Sequence, residues 1–98
     1  MNANAEQRSS QRFYYEKPVM LEDERTGYNY DGAIRNYSES GMYLESDYAP
    51  RPSRKIRIKV NGLPDISHPR VYRAEVKWRR PLSQNPSPYS YGIGVRYC

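Results

Sequence analysis

The cleanest pattern in the chain is the run RKIRIKV, where Ile56, Ile58 and Val60 alternate with Lys55, Arg57 and Lys59. A period of two puts apolar side chains on one face of an extended segment and charges on the other, as in a half-buried strand. VYRAEVKWRR alternates again, with Tyr72, Ala74, Val76 and Trp78 against Arg73, Glu75, Lys77 and Arg79. YGIGVRYC keeps Tyr91, Ile93, Val95 and Tyr97 in phase. Upstream, Pro18 ahead of VMLE suits the start of a strand. GAIRNYS reads as a short strand with Ala33 and Ile34 as its inward-facing candidates, and GMYLESD as another.

Breakers separate these runs. Gly27, Asn29, Asp31 and Gly32 in RTGYNYDG mark a turn-rich hairpin region. Two prolines in YAPRPS stop a strand, and NGLPDISHP and PLSQNPSPYS read as loops. The result is about six short strands at regular spacing with no helical periodicity, which predicts a small antiparallel barrel or sandwich. The 98 residues make one domain. Residues 1–7 are expected to be a flexible tail, and residues 8–98 the folded domain.

Composition changes this picture little. Hydrophobic content is low at 37%, yet 13% of the residues are aromatic, and 11 of them are tyrosines. A disordered chain would be poor in aromatics, so the chain is read as folded. Sixteen Lys and Arg against 11 Asp and Glu give a net charge of +5. That excess favours anionic partners, although a basic soluble domain accounts better for this charge taken alone. Cys98 is the single cysteine, so no internal disulfide can form, which fits a reducing compartment. No apolar run is long enough for a signal peptide or a membrane span, and a cytoplasmic location is expected.

Candidate chemistry is of the binding kind. His68 lies between Ser67 and Pro69 in a loop, without a Cys or His cluster or a glycine-rich phosphate loop nearby. Neither catalysis nor a metal or cofactor is expected. In RSSQR, Arg8 and Arg12 stand four apart, and guanidinium groups fork onto phosphate oxygens and onto the O6 and N7 edge of guanine. In RNYSESG, Asn36 can cap its own turn, Ser38 can do likewise or donate to a phosphate, and Gly41 permits a positive φ and leaves no Cβ in a ligand's way. A plain turn explains each of these residues separately.

Taken together, Arg8-Ser-Ser-Gln-Arg12 and Asn36-Tyr-Ser38-Glu-Ser-Gly41 resemble the paired R-x-x-x-R and [D/N]-x-S-x-x-G motifs of the PilZ domain, a bacterial receptor family for cyclic di-GMP. Phe13 after the second arginine, MYLES after Gly41 and the closing GIGVRY extend the resemblance over nearly the whole chain from Arg8 on. It implies an all-β fold, a six-stranded antiparallel barrel, with the arginine pair on an N-terminal loop that wraps the ligand. Arg8 and Arg12 would hold phosphates and guanine edges, and Asn36, Ser38 and Gly41 the other guanine and the backbone. Some members also stack a guanine on a tryptophan of the fifth strand, where Trp78 falls. Being in phase with Val76, Trp78 can equally pack into the core. Arg79 and Arg80 either assist the ligand or form a charged edge that discourages strand pairing.

Three departures shape the expectation. Asn36 stands where an acid is frequent, and lacks its charge. The sequence ends at Cys98 directly after the last strand, where many members carry a helix; the barrel either stands alone as a monomer or has an open end covered by a partner or a second copy in a weak dimer. Gln7 stands where an arginine accompanies binding of a stacked ligand pair, which leans towards one ligand. The expected function is a non-enzymatic receptor whose N-terminal loop changes on binding and signals to an effector protein. The rivals are a PilZ-like adaptor that binds no nucleotide, and a barrel for single-stranded nucleic acid, whose binding would weaken steeply with salt.

Overall fold

The computed structural model describes residues 13–60, 70–83 and 87–98. They form β1 (Phe13–Asp23), β2 (Asn29–Tyr37), β3 (Gly41–Ser46), β4 (Lys55–Val60), β5 (Arg70–Pro81) and β6 (Tyr91–Tyr97). These close into an antiparallel barrel in the order β1-β2-β3-β6-β5-β4, with β4 returning to β1. The six-stranded barrel implied by the motif resemblance is the observed fold. Closure gives each strand a neighbour on both sides and so removes the exposed edges that invite aggregation.

The barrel interior is filled by the period-two positions. Ile56, Ile58 and Val60 of β4 are buried, as are Ala74 and Val76 of β5 and Ile93 and Val95 of β6. Leu21, Ile34 and Leu44 bring the other strands into the same cluster. At one end of the barrel Tyr72 and Tyr97 stack, with ring centroids 5.4 Å apart. Burial of Tyr97 beside Tyr72 and Tyr37 raises its phenol to about 12.

Two expectations about turns need correction. The hairpin joining β1 and β2 is confined to residues 24–28, and Asn29, Asp31 and Gly32 lie inside β2. Asp23 makes the turn: its Oδ1 accepts from the amides of Arg25 and Thr26, its carbonyl accepts from Gly27, and Gly27 takes the positive φ of 80°. Likewise, β1 does not start at Pro18 but at Phe13; Pro18 pairs Ala33 on β2, and pairing to β4 begins one residue later, at Val19. A proline is tolerated there because it has no N–H to donate to a ladder.

Three irregularities interrupt the ladders. One extra residue interrupts the β1–β2 register between Tyr14 and Lys17. A second bulge, at Arg35, shifts β2 against β3, and a third, at Lys77, shifts β5 against β6. The third has a visible anchor. The turn before β4, with Pro52 and with Ser53 at φ 82°, places the Ser53 amide on the Val76 carbonyl and the Arg54 carbonyl on the Val76 amide. Val76 is therefore pinned inward, and the extra residue falls immediately after it. A bulge turns two consecutive residues towards one partner, so Lys77 and Trp78 are both exposed.

Candidate functional site

The turn between β2 and β3 is closed by the Ser38 amide donating to the Gly41 carbonyl at 2.9 Å. Ser38 is buried, and its Oγ accepts from the Ser40 amide and lies 3.2 Å from the Ser40 hydroxyl. The Ser40 carbonyl in turn accepts from the Tyr97 amide, which ties the turn to β6. Gly41 lies opposite Arg96 in the β3–β6 ladder. Gly41 does not take the positive φ expected of it. Among the described residues, only Gly27 and Ser53 take a positive φ. A Cβ on Gly41 would instead collide with the Val95 carbonyl, so β6 itself occupies the space beside it.

Trp78 lies outside the barrel core. The bulge at Lys77 breaks its phase with Val76, and the indole lies on the outer face over Gly94, 43% exposed. Gly92 does the same service for Tyr43, whose ring would touch any Cβ there. The two rings stack with centroids 5.7 Å apart and planes 23° from parallel. The Arg80 guanidinium lies 5.5 Å from the Trp78 ring and 5.8 Å from the Tyr43 ring, within cation–π range of both. Arg79 faces the other way and donates to the Ala49 carbonyl. Neither arginine is a mere edge charge.

Beneath this face runs a polar chain that the motifs do not include. Glu45 is only 4% exposed. Its Oε1 accepts from Arg35 Nε at 2.8 Å, and its Oε2 from the Tyr43 hydroxyl at 3.0 Å. Burial alone would raise the Glu45 carboxyl, but hydrogen bonds from Ser87, Arg35 and Tyr43 outweigh it and hold the group below its ordinary value. Burial, reinforced by the bond to Glu45, pushes the Tyr43 phenol up. Tyr43 is thus a neutral, oriented donor whose ring supports Trp78.

A pocket of about 270 Å³ opens on this side of the barrel. Its lining joins Ser38, Ser40 and Gly41 of the turn to Trp78, Lys77 and Arg96. The structure therefore brings together Ser38, Gly41 and Trp78. Asn36 is half-buried in β2 opposite Tyr43, outside that lining. Arg8 and Arg12 lie outside the described residues. Tyr43, Glu45, Lys77 and Arg96 were not singled out by the sequence reading. The alternating Gly92 and Gly94 of β6 are the one signal that could have pointed to the two rings, since strand glycines mark close approach of other groups. Among the described residues no group of His, Cys, Asp and Glu is placed to hold a metal, and no helix is long and apolar enough to cross a membrane. The arrangement offers a flat aromatic surface, hydroxyls and cations, which is the chemistry of holding a ligand.

The closed six-stranded barrel thus sets the S-x-x-G turn beside an outward tryptophan. The family model of the PilZ domain matches residues 6–98. The chain belongs to the PilZ domain family. No curated protein sequence matches it.

Proposed function

We propose that this PilZ domain is a non-enzymatic receptor for cyclic di-GMP. The observation that carries the reading is the convergence of Ser38, Gly41 and the outward-facing Trp78 on one pocket. Two of these residues come from the turn motif and the third from a strand distant in sequence. A purine stacks on an exposed indole, and base–aromatic stacking contributes roughly 1–3 kcal/mol per base. The Asn36 carbonyl is a candidate acceptor for guanine N–H groups. Arg8 and Arg12, just ahead of β1, supply forked donors for phosphate and for the guanine edge. Their closure over the ligand changes the surface offered to an effector protein, an order change of the kind that switches signalling domains.

Isothermal titration of the purified protein with cyclic di-GMP, with GTP and a short oligonucleotide as controls, tests this. Saturable heat with cyclic di-GMP alone, lost in Arg8→Ala, Arg12→Ala and Ser38→Ala, is expected. Absence of heat in the folded wild-type protein would return the S-x-x-G segment to a structural turn and leave the adaptor function in its place.

A further inference from the structure

The motif residues leave one side of the pocket unexplained. Its lining includes two cations, Lys77 and Arg96, and no acidic side chain among the described residues. Lys77 is the bulged residue of β5; without the bulge, Lys77 and Trp78 would face opposite sides of the sheet. With it, both are exposed, and both line the same pocket. Arg96 reaches the pocket from β6, opposite Gly41 and beside Glu75 in the ladders. Arg96 is exposed and makes no ion pair among the described residues, whereas Arg35, Arg57, Lys59 and Arg73 all do. Lys77 pairs with Glu75 at 3.7 Å, as long a contact as those of Arg57, and half of its side chain is exposed. Ser40, whose hydroxyl lies 3.2 Å from Ser38 Oγ, also lines the pocket and can offer a neutral donor or acceptor.

We infer that Lys77, Arg96 and Ser40 form a phosphodiester seat next to the Trp78 platform, so that one nucleotide unit of the ligand is held by its base and its phosphate on the barrel itself. The inference rests on the receptor reading above and adds residues that neither motif contains. The pocket volume of about 270 Å³ is just under the roughly 300 Å³ at which sites for whole small molecules begin. It therefore takes part of a cyclic dinucleotide, one base with its adjoining phosphate, and leaves the rest for the N-terminal arginines. Arg96, which makes no ion pair among the described residues, and Lys77, whose Glu75 partner is 3.7 Å away, can both turn to an anion: the fork of Arg96 fits two phosphate oxygens, and the Lys77 ammonium acts as a point charge.

The test is a titration of wild type, Lys77→Gln, Arg96→Gln, the double variant and Arg25→Gln with cyclic di-GMP, followed by calorimetry and by the fluorescence of Trp78, the only tryptophan. Arg25 lies in the turn at the opposite end of the barrel and controls for general charge. Lys77→Gln and Arg96→Gln are each expected to weaken binding about ten-fold. Between about 50 and 200 mM salt, affinity should fall less steeply in the double variant than in wild type. Quenching of Trp78 at saturation should persist, because the base platform is intact. Unchanged affinity in both single variants, while wild type binds, would overturn the seat and leave the receptor reading standing. An equal loss in Arg25→Gln would also overturn it, by reducing the effect to net charge. Failure of the wild type to bind would remove the receptor reading and the seat with it. Thermal melts of each variant identify any that fail to fold, and Lys77→Met and Arg96→Met, which keep the aliphatic stem, then decide the matter.

Discussion

Two outer faces of the barrel use the same residue types differently. On the side of β1, β4 and β5, cations and acids neutralise each other across strands. Lys59 meets Glu22 at 2.9 Å, Arg73 grips Glu24 with two bonds, and Arg57 sits between both acids. On the side of β3, β6 and β5, Lys77 and Arg96 line a pocket with no acid among its described lining residues, Lys77 keeping only the 3.7 Å pair to Glu75, and Arg80 is spread over two aromatic rings. Strand β5 belongs to both faces, with Arg73 in the first and Lys77 in the second, and the bulge lies between Val76 and Trp78 on the second. A net charge of +5 is thus not an even coat. One face sets its cations directly against acids, and the other gathers Lys77 and Arg96 at a pocket where they can meet an anion.

The contrast can be broken most strongly at Glu45. Glu45→Ala leaves the Arg35 guanidinium partly buried without its acid and takes the acceptor from Tyr43. A loss of about 2–3 kcal/mol is expected in denaturant unfolding, together with a less ordered Trp78. Arg73→Ala deletes a bidentate pair on the other face, yet Arg73 is half exposed, and its melting temperature should stay close to wild type. Equal losses from the two substitutions would remove the distinction between the faces.

Next in size is Trp78→Ala. Loss of one stacked base should weaken cyclic di-GMP binding roughly 10- to 100-fold, with little change in stability because the indole lies outside the core. Gly94→Ala should act in the same direction by a smaller factor, since its Cβ would push the indole off β6. Calorimetry on both variants checks the order.

Acid gives the smallest and most graded effect. The carboxyls of Glu45 and Glu24 are both depressed in the folded state, Glu45 against the opposing cost of burial and Glu24 chiefly by its bond to Arg73. A depressed carboxyl stabilises the fold above its unfolded value, near about 4.3, and that stability is lost as pH falls through the lower folded value. Stability should therefore decline below about pH 4. Added salt should weaken the exposed Glu24 contribution and leave the buried Glu45 contribution largely intact. Melts of Glu45→Gln and Glu24→Gln across that range separate the two.

The legible parts of the sequence were those governed by local periodicity. Ile56, Ile58 and Val60 alternate in the chain and are buried in β4 as their spacing requires. The S-x-x-G turn was legible because its geometry is set within four residues. Trp78 was ambiguous because phase counting assumes an unbroken ladder, and the extra residue at Lys77 reverses the side on which it falls. Glu45 was invisible for a different reason. A carboxylate in a strand looks solvent-facing until the β2 bulge brings Arg35 alongside it, and that pairing depends on register, not on composition. Likewise the need for glycine at position 41 that the Val95 backbone imposes was invisible locally, because it comes from a strand more than fifty residues away. Asn36 was legible as a motif position, and its place opposite Tyr43 in the β2–β3 ladder was not.

The most direct test of the account is an amide NMR titration of the labelled protein with cyclic di-GMP. The account predicts shifts clustered in Ser38–Tyr43, Lys77–Arg80 and Gly92–Arg96, with the amides of Glu22, Arg57 and Arg73 unmoved. Saturable shifts centred on the β1–β4–β5 face, or none anywhere, would contradict it.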